Sequence, residues 1–251
     1  MSVGPIAIHR DGSAAHLVMD DGRANALGTA MMEAMLKALD DVRDANAVLL
    51  TGRTKVFCGG LDLAEVVPKD LPTLRTFLEL FHRTFRALIA FERPLVVAVS
   101  GSAVAGGAVL LCCGDVRLGA KDTGVTGVNE ARLGIPFPVS ALEAVRCALA
   151  PPQAHEALLE GRLYPKEDAR ALGFYQALYP AEELLARAQE RWKDLATLPH
   201  QATGPTKRAL RAEHLARVDR DGGATTEVFA QAWSSPVAQQ RLNDVLSKLR
   251  R

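Results

Sequence analysis

The chain has 251 residues, enough for one large domain with a sizeable core, and its 48% apolar and 24% charged residues are typical of an ordinary globular protein. A formal net charge of +1 provides no overall attraction to nucleic acid or to an anionic membrane. The sequence contains no run of about 18 apolar residues that would predict a membrane span. From the charge and from this pattern we expect neither nucleic acid nor a membrane as a partner.

Cysteine usage indicates a reducing compartment. Cys112 and Cys113 are adjacent, Cys58 and Cys147 stand apart, and no CxxC pair spells a zinc or redox site. The N-terminal stretch MSVGPIAIHRDGSAAHLVMD has no apolar segment long enough for a signal peptide. We therefore expect a cytoplasmic protein.

The first hundred residues alternate between strand and helix patterns, which predicts an α/β architecture. An Asp11-Gly12 turn joins the first two strands as a hairpin, and the glycine-bearing stretch KVFCGGLDL, residues 55–63, predicts a loop. The predicted elements are strands over 3–9, 13–19, 47–52 and 95–99, and helices over 29–43 and 71–91.

After a strand near 115–119, helical patterns dominate. The predicted helices cover 140–149, 151–160, 166–172, 181–198, 202–219, 224–233 and 236–249. We expect an α/β core over residues 1–195 and a helical C-terminal lobe over 196–251.

Common ligand motifs fail on inspection. GSAVAGGA begins like a phosphate-binding loop, but Gly107 and Ala108 stand where it needs a lysine and a hydroxyl residue. There is no GxGxxG, HExxH or GxSxG, and none of the six histidines has metal-ligand spacing. We expect no metal site.

Two glycine-bearing turns each follow a buried strand pattern. CGGLDL, residues 58–63, follows AVLLTG, and SAVAGGA, residues 102–108, follows LVVAV. Glycines permit tight turns and close packing, which is one interpretation. The other is that backbone N–H groups of the two turns converge into an oxyanion hole.

Glu130 lies in the stretch TGVNEARLGIPFPV, which is otherwise short of charge. A carboxylate in apolar surroundings either forms an ion pair, here with Arg132 or a distant arginine, or is used chemically. In the second case its apolar setting raises its pKa and makes it a catalytic base. This stretch alone leaves both interpretations open.

Five segments together resemble the crotonase family, the enoyl-CoA hydratases and isomerases. They are RANALGTAMMEAM, AVLLTGRTKVFCGGLDLAEV, ERPLVVAVSGSAVAGGAVLLCCGDVRLGA, GVNEARLGI and EGRLYPKEDARALGF, in order over roughly residues 5–200. The resemblance implies a spiral of strand-strand-helix units and a C-terminal helical trimerisation lobe. It also implies a homotrimer or a dimer of trimers.

The resemblance further implies an acyl-CoA thioester as the substrate, with no separate cofactor. It assigns the backbone N–H groups of Leu61 and Gly106 to an oxyanion hole for the thioester oxygen, and Glu130 to catalysis. The residues that it places along the substrate and its coenzyme A moiety are Arg23, Ala24, Gly60, Asp62 and Leu63. Arg23 reads equally well as a solvated loop arginine.

Departures from the hydratase pattern favour one branch of the family. In the family pattern that this chain resembles, hydratases carry two glutamates, and Val109 stands here at the position of the first. Ile135-Pro136-Phe137-Pro138 replaces the glycine-rich loop that tends to follow the second. The chain is thus more similar to the Δ3-Δ2-enoyl-CoA isomerases of fatty acid metabolism, which keep only the later glutamate. Its C-terminal stretch WSSPVAQQRLNDVLSKL also resembles the end of that branch.

Two alternatives remain at this point. One is a hydratase or another lyase of the same family that recruits a different carboxylate, with Glu65 as a candidate. The other is a non-catalytic scaffold that binds acyl-CoA, or an RNA-binding relative, against which the neutral net charge argues. The basic helix TKRALRAEHLAR, residues 206–217, is either a coenzyme A phosphate contact or a solvated face.

Overall fold

The computed structural model describes residues 2–249. Its strands are β1 (Ser2–Val3), β2 (Ile6–Asp11), β3 (Ala14–Met19), β4 (Ala47–Thr51), β5 (Val56–Cys58), β6 (Leu95–Val99), β7 (Ser102–Val104), β8 (Val116–Ala120), β9 (Val125–Gly127), β10 (Tyr164–Pro165) and β11 (Ala177–Tyr179). Its helices are α1 (Thr29–Asp41), α2 (Leu63–Val66), α3 (Leu71–Ala90), α4 (Gly106–Cys112), α5 (Glu130–Leu133), α6 (Val139–Ala148), α7 (Pro151–Glu160), α8 (Lys166–Ala171), α9 (Ala181–Ala196), α10 (His200–Trp233) and α11 (Pro236–Leu249).

The larger of the two sheets has seven strands in the order β1-β2-β3-β4-β6-β8-β11. Its first three strands are antiparallel and the others pair in parallel. Successive residues of β4 and β6 face opposite sides, so that Val48 and Val97 lie in the main core while Leu49 and Val96 pack in a second cluster. Helix α9 covers that second face, where Trp192 donates a hydrogen bond to the Ala47 carbonyl at 3.0 Å.

A smaller sheet in the order β10-β9-β7-β5 carries the glycine-bearing turns. β5, β7 and β9 are mutually parallel, so their carboxyl ends lie at one edge. The chain leaves these ends into Gly59–Leu61, into Ala105–Gly106 and into Val128–Glu130 respectively. Three segments far apart in sequence are thereby brought to one place.

The alternation predicted for the first hundred residues is confirmed, including the hairpin of β2 and β3 and the long helix α3. Strands β5 and β7 were not predicted, because three residues are too short to show an alternating pattern. The prediction of separate helices over 202–219 and 224–233 is wrong, since α10 is continuous. Gly222 does not end this helix: a Cβ there would overlap the His82 ring of α3, so the glycine allows close packing.

Two basic residues of α10 face inward, whereas Arg208 beside them is 62% exposed and pairs with Glu92. The coenzyme A phosphate contact of this stretch stays a prediction. Lys207 and Arg211 are buried, with side chains 9% and 8% exposed, and both pair with Asp115, at 2.6 Å and 3.1 Å. Asp115 also accepts a hydrogen bond from the Leu95 N–H at 2.8 Å. Asp115 directly precedes β8 and is bonded to the first residue of β6, so this network ties α10 to the large sheet. The domain boundary expected at residue 195 stays a prediction.

No helix within residues 2–249 combines the length and apolar character needed to cross a bilayer.

Replacing Asp115 by alanine should lower the free energy of unfolding by about 3 kcal/mol, because it leaves two buried cations without their anion. Urea denaturation measures the change. Asp219→Ala is the matched control, since it breaks an ion pair with Arg86 in which both side chains are about half exposed, and it should change stability by less than about 1 kcal/mol. Equal losses in the two variants would contradict the proposed anchoring of α10.

Candidate active site

The three turns at the end of the small sheet open onto a largely apolar cavity of about 380 Å³. Its opposite wall comes from α3 and from the last two helices. The lining residues are Ala24, Val56, Gly59, Leu61, Leu63, Leu78, Phe81, Ser102, Val104, Ala105, Gly106, Asn129, Glu130, Leu133, Ile135, Phe137, Pro138, Ala141, Leu163, Phe229, Trp233, Leu242 and Val245. A mostly apolar pocket with a few polar groups at one end is typical of a small-molecule site.

Two backbone N–H groups at this end have no acceptor among the hydrogen bonds described for residues 2–249. Leu61 pairs with Leu27 through the Gly60 carbonyl and the Asp62 N–H, which leaves its own N–H free. Gly106 is the first residue of α4, where an N–H has no partner within the helix. The turns are in close contact, since a Cβ on Gly60 would lie 3.5 Å from the Gly106 nitrogen and 2.9 Å from the Ala105 Cβ.

Ala105 adopts a backbone angle that residues with a side chain rarely take. Its φ is +52°, and its N–H is held by the Gly127 carbonyl of β9 at 2.8 Å. Such a conformation persists only when its surroundings hold it in place. The bond from β9 therefore fixes the peptide immediately before the one that presents the Gly106 N–H.

Asn25 fixes the other turn and was not predicted from the sequence. Its side chain is fully buried, and its amide donates to the carbonyls of Met19 and Phe57 at 2.9 Å and 3.1 Å. Its φ of +50° is a conformation that asparagine tolerates better than most residues. The sequence feature that could have indicated this role is the asparagine within the loop RANALG, since asparagine is typical of tight turns.

Glu130 begins α5 and lines the cavity. Its Oε2 is buried with no hydrogen-bond partner in the described part of the chain, and so is the Oδ1 of the neighbouring Asn129. Burial raises the pKa of Glu130 to about 7, although the N–H groups of Glu130 and Asn129 act in the opposite direction. No ion pair with Arg132 or another arginine is described for it in residues 2–249, so the interpretation of Glu130 as half of a salt bridge is not supported.

Glu65 does not line the cavity, and its carboxylate is used elsewhere. It accepts hydrogen bonds from the N–H of Thr29, at 2.9 Å, and from its hydroxyl, at 2.5 Å, at the start of α1. Burial raises the pKa of Glu65, but the bonds from Thr29 and the Lys69 ammonium outweigh it, so the pKa lies below its usual value. Glu65 is therefore an ionised helix cap.

Only part of the predicted substrate-binding set lines the cavity. Ala24 and Leu63 do, whereas Arg23 is exposed outside it. Gly60 lies behind the wall with a φ of +95°, and Asp62 caps α2 by accepting from two backbone N–H groups at 3.0 Å and 3.2 Å. The coenzyme A contacts of these residues stay predictions.

The individual residues of the far wall were not predicted from the sequence, although the long helix over 71–91 and the C-terminal lobe were expected to close the pocket. Phe229 and Trp233 of α10 stack with ring centroids 5.6 Å apart, and α11 contributes Leu242 and Val245.

Cys58, beside the first turn, is inert because burial raises the pKa of its thiol to about 12.

The chain is similar to proteins of one known family. Residues 10–241 match the enoyl-CoA hydratase/isomerase family. An enoyl-CoA hydratase from Mycobacterium ulcerans is 31% identical, with a TM-score of 0.84 over 90% of this chain and 100% of that one. A Mycobacterium tuberculosis protein, named an enoyl-CoA isomerase in one solved structure and a probable enoyl-CoA hydratase in another, is 31% identical in the first, with a TM-score of 0.79 over 91% of this chain and 98% of that one.

The human mitochondrial Δ3-Δ2-enoyl-CoA isomerase shares the fold, with a TM-score of 0.93 over 98% of each chain at 23% identity. The expected architecture, an α/β core with a helical C-terminal region, is confirmed by these neighbours. The role of that region in trimerisation stays a prediction.

The buried carboxyl group should make stability depend on pH. Between its unfolded pKa, about 4.3, and its folded pKa of about 7, Glu130 holds a proton only in the native state, so stability falls as pH rises through this window. Glu130→Gln removes this penalty. The free energy of unfolding of the variant should exceed that of the native protein by about 1–3 kcal/mol at about pH 8 and by almost nothing near pH 4.5. Urea denaturation at each pH measures it. The exposed Glu79→Gln is the control, and a gain independent of pH would contradict the assignment.

Proposed function

The chain belongs to the enoyl-CoA hydratase/isomerase family, and within it we propose that the protein is a Δ3-Δ2-enoyl-CoA isomerase. The observation that carries this proposal is the single acidic side chain, Glu130, among the cavity-lining residues of the described chain. Val109, at the position of the first hydratase glutamate, is a core residue with 1% exposure and does not line the cavity.

One carboxylate suffices for moving a double bond. The Glu130 carboxylate removes a proton from C2 of a 3-enoyl thioester, the electrons move toward the thioester oxygen, and a dienolate forms. The protonated Glu130 then returns the proton to C4, which leaves the double bond between C2 and C3. No water takes part, in keeping with the largely apolar wall.

The developing negative charge on the thioester oxygen needs donors already in place. We assign this task to the N–H groups of Leu61 and Gly106, which have no described acceptor. Losing one such donor typically costs about 3–4 kcal/mol of barrier. The raised pKa of Glu130 suits its task, since a base that must also return the proton works best with a pKa near the operating pH.

Hydration of a 2-enoyl-CoA is the second candidate, because the similar Mycobacterium ulcerans protein is named a hydratase. Hydration needs a water that is held and deprotonated as well as a proton delivered to carbon, work that two carboxylates naturally share. The ionised Glu65 lies outside the cavity wall and is bound to Thr29, which disfavours it as the second group.

We extend the proposal to the setting of the reaction. It needs no cofactor beyond the coenzyme A thioester, it serves fatty acid metabolism in the cytoplasm, and the protein assembles as a trimer or a dimer of trimers. Mass measurement of the native protein tests the assembly directly.

Incubation with 3-enoyl and 2-enoyl thioesters of several lengths in deuterated water separates the two candidates. We expect 3-enoyl-CoA to give 2-enoyl-CoA with no gain of water, as read by mass spectrometry. Glu130→Gln should lower kcat at least about 10³-fold, because no other cavity-lining group can carry the proton. Glu79→Gln serves as the matched control and should keep the native rate. Addition of water to 2-enoyl-CoA without isomerisation would overturn the proposal in favour of hydration.

The rate should follow the ionisation of Glu130. Since only the carboxylate removes a proton and its pKa is about 7, kcat/KM should rise about tenfold per pH unit below that value and level off above it. The measurement is kcat/KM against pH with a 3-enoyl-CoA. A profile already flat down to pH 5 would show an ordinary, solvated carboxyl group.

A further inference from the structure

Lys166, the first residue of α8, is buried with 3% exposure and has no carboxylate partner in the described chain. Its Nζ donates to the Gly101 carbonyl at 2.6 Å, to the Tyr175 hydroxyl at 2.8 Å and to the Thr126 hydroxyl at 3.3 Å. The hydroxyls of Thr126 and Tyr175 are themselves 2.6 Å apart. A buried lysine in a network without an anion is costly, so its retention calls for an explanation beyond stability.

The network joins the two strands that end in the two halves of the candidate site. Gly101 directly precedes β7, which leads to the Gly106 N–H, and Thr126 lies within β9, which leads to Glu130. The two strands pair in parallel, with Ala103 opposite Thr126. Lys166 thus bonds to β9 and to the residue that directly precedes β7.

Resting on the isomerase proposed above, we propose that Lys166 is a positioning residue that sets the distance between Glu130 and the oxyanion donors. It touches no substrate, because it does not line the cavity. Its effect passes through β9, whose Gly127 carbonyl also holds the strained Ala105 peptide. A displacement of one strand against the other moves the base and the donors apart, and errors of about 1 Å can cost about 100-fold in rate.

Lys166→Met tests this, because it keeps most of the unbranched side chain and removes the three hydrogen bonds that the ammonium donates. We expect kcat for 3-enoyl-CoA to fall 10-fold to 100-fold while KM changes less than threefold. Lys207→Met is the matched control: it removes another buried lysine, one bonded to Asp115 and to the Arg93 carbonyl. It should lower the melting temperature at least as much and leave kcat within twofold of the native value.

A second readout does not depend on turnover. A saturated acyl-CoA tests binding alone, whereas a 3-ketoacyl-CoA can bind as an enolate and so also tests the oxyanion donors. The native protein should prefer the 3-ketoacyl thioester, and Lys166→Met should lose at least tenfold of that preference. Tyr175→Phe, which removes one hydroxyl of the network, should lose a smaller part and replaces Lys166→Met if that variant does not fold.

The outcomes separate the two proposals. Native kcat and native ligand preference in Lys166→Met, or equal losses of kcat in the Lys166 and Lys207 variants, would overturn the positioning role and leave the isomerase intact. No turnover by the native protein, with a ligand preference that still depends on Lys166, would overturn the isomerase alone. A native protein without turnover and without preference would overturn both.

Discussion

The arrangement of the whole site depends on the parallel pairing of β5, β7 and β9. Each strand has only three residues, yet their carboxyl ends deliver the Leu61 turn, the Gly106 turn and Glu130 to one place. Strands this short hold their register only with help from outside the sheet. The help comes from Asn25 beneath the first turn, from the Gly127 carbonyl beneath the second, and from Lys166, which bonds to β9 and to the residue directly before β7.

Three glutamates show how surroundings decide what a carboxyl group can do. Glu143 is 1% exposed but has Arg146, His214 and Arg217 within 3.3 Å. Glu65 is held ionised by Thr29 and Lys69. Glu130 has neither a cation nor a side-chain donor among residues 2–249, and burial raises its pKa to about 7. In the proposed reaction the glutamate must take up and release a proton, which a carboxylate held ionised by a cation, as Glu65 is by Lys69, would do poorly.

The sequence predicted the long elements and the polar end of the site, because these have local signals. Helix α3 shows its apolar stripe, and Glu130 shows as a charge in apolar surroundings. The strands of the small sheet are too short for a pattern, and Gly222 packs against a histidine 140 positions away in the chain, so neither could be predicted. Lys166 stands next to Glu167 and Asp168, as a solvated lysine would, and only the fold shows that its ammonium faces inward.

The two walls of the cavity come from different parts of the fold. The reacting end is built from backbone groups and Glu130 on the small sheet, whereas the apolar end comes from α3, α10 and α11. The Asp115 network anchors α10 to the large sheet, and Arg241 of α11 bonds to the Arg132 carbonyl of α5 at 2.8 Å. The far wall is therefore not independent of Glu130, because α11 is bonded to the helix that this glutamate begins, whereas α10 is held mainly by the large sheet.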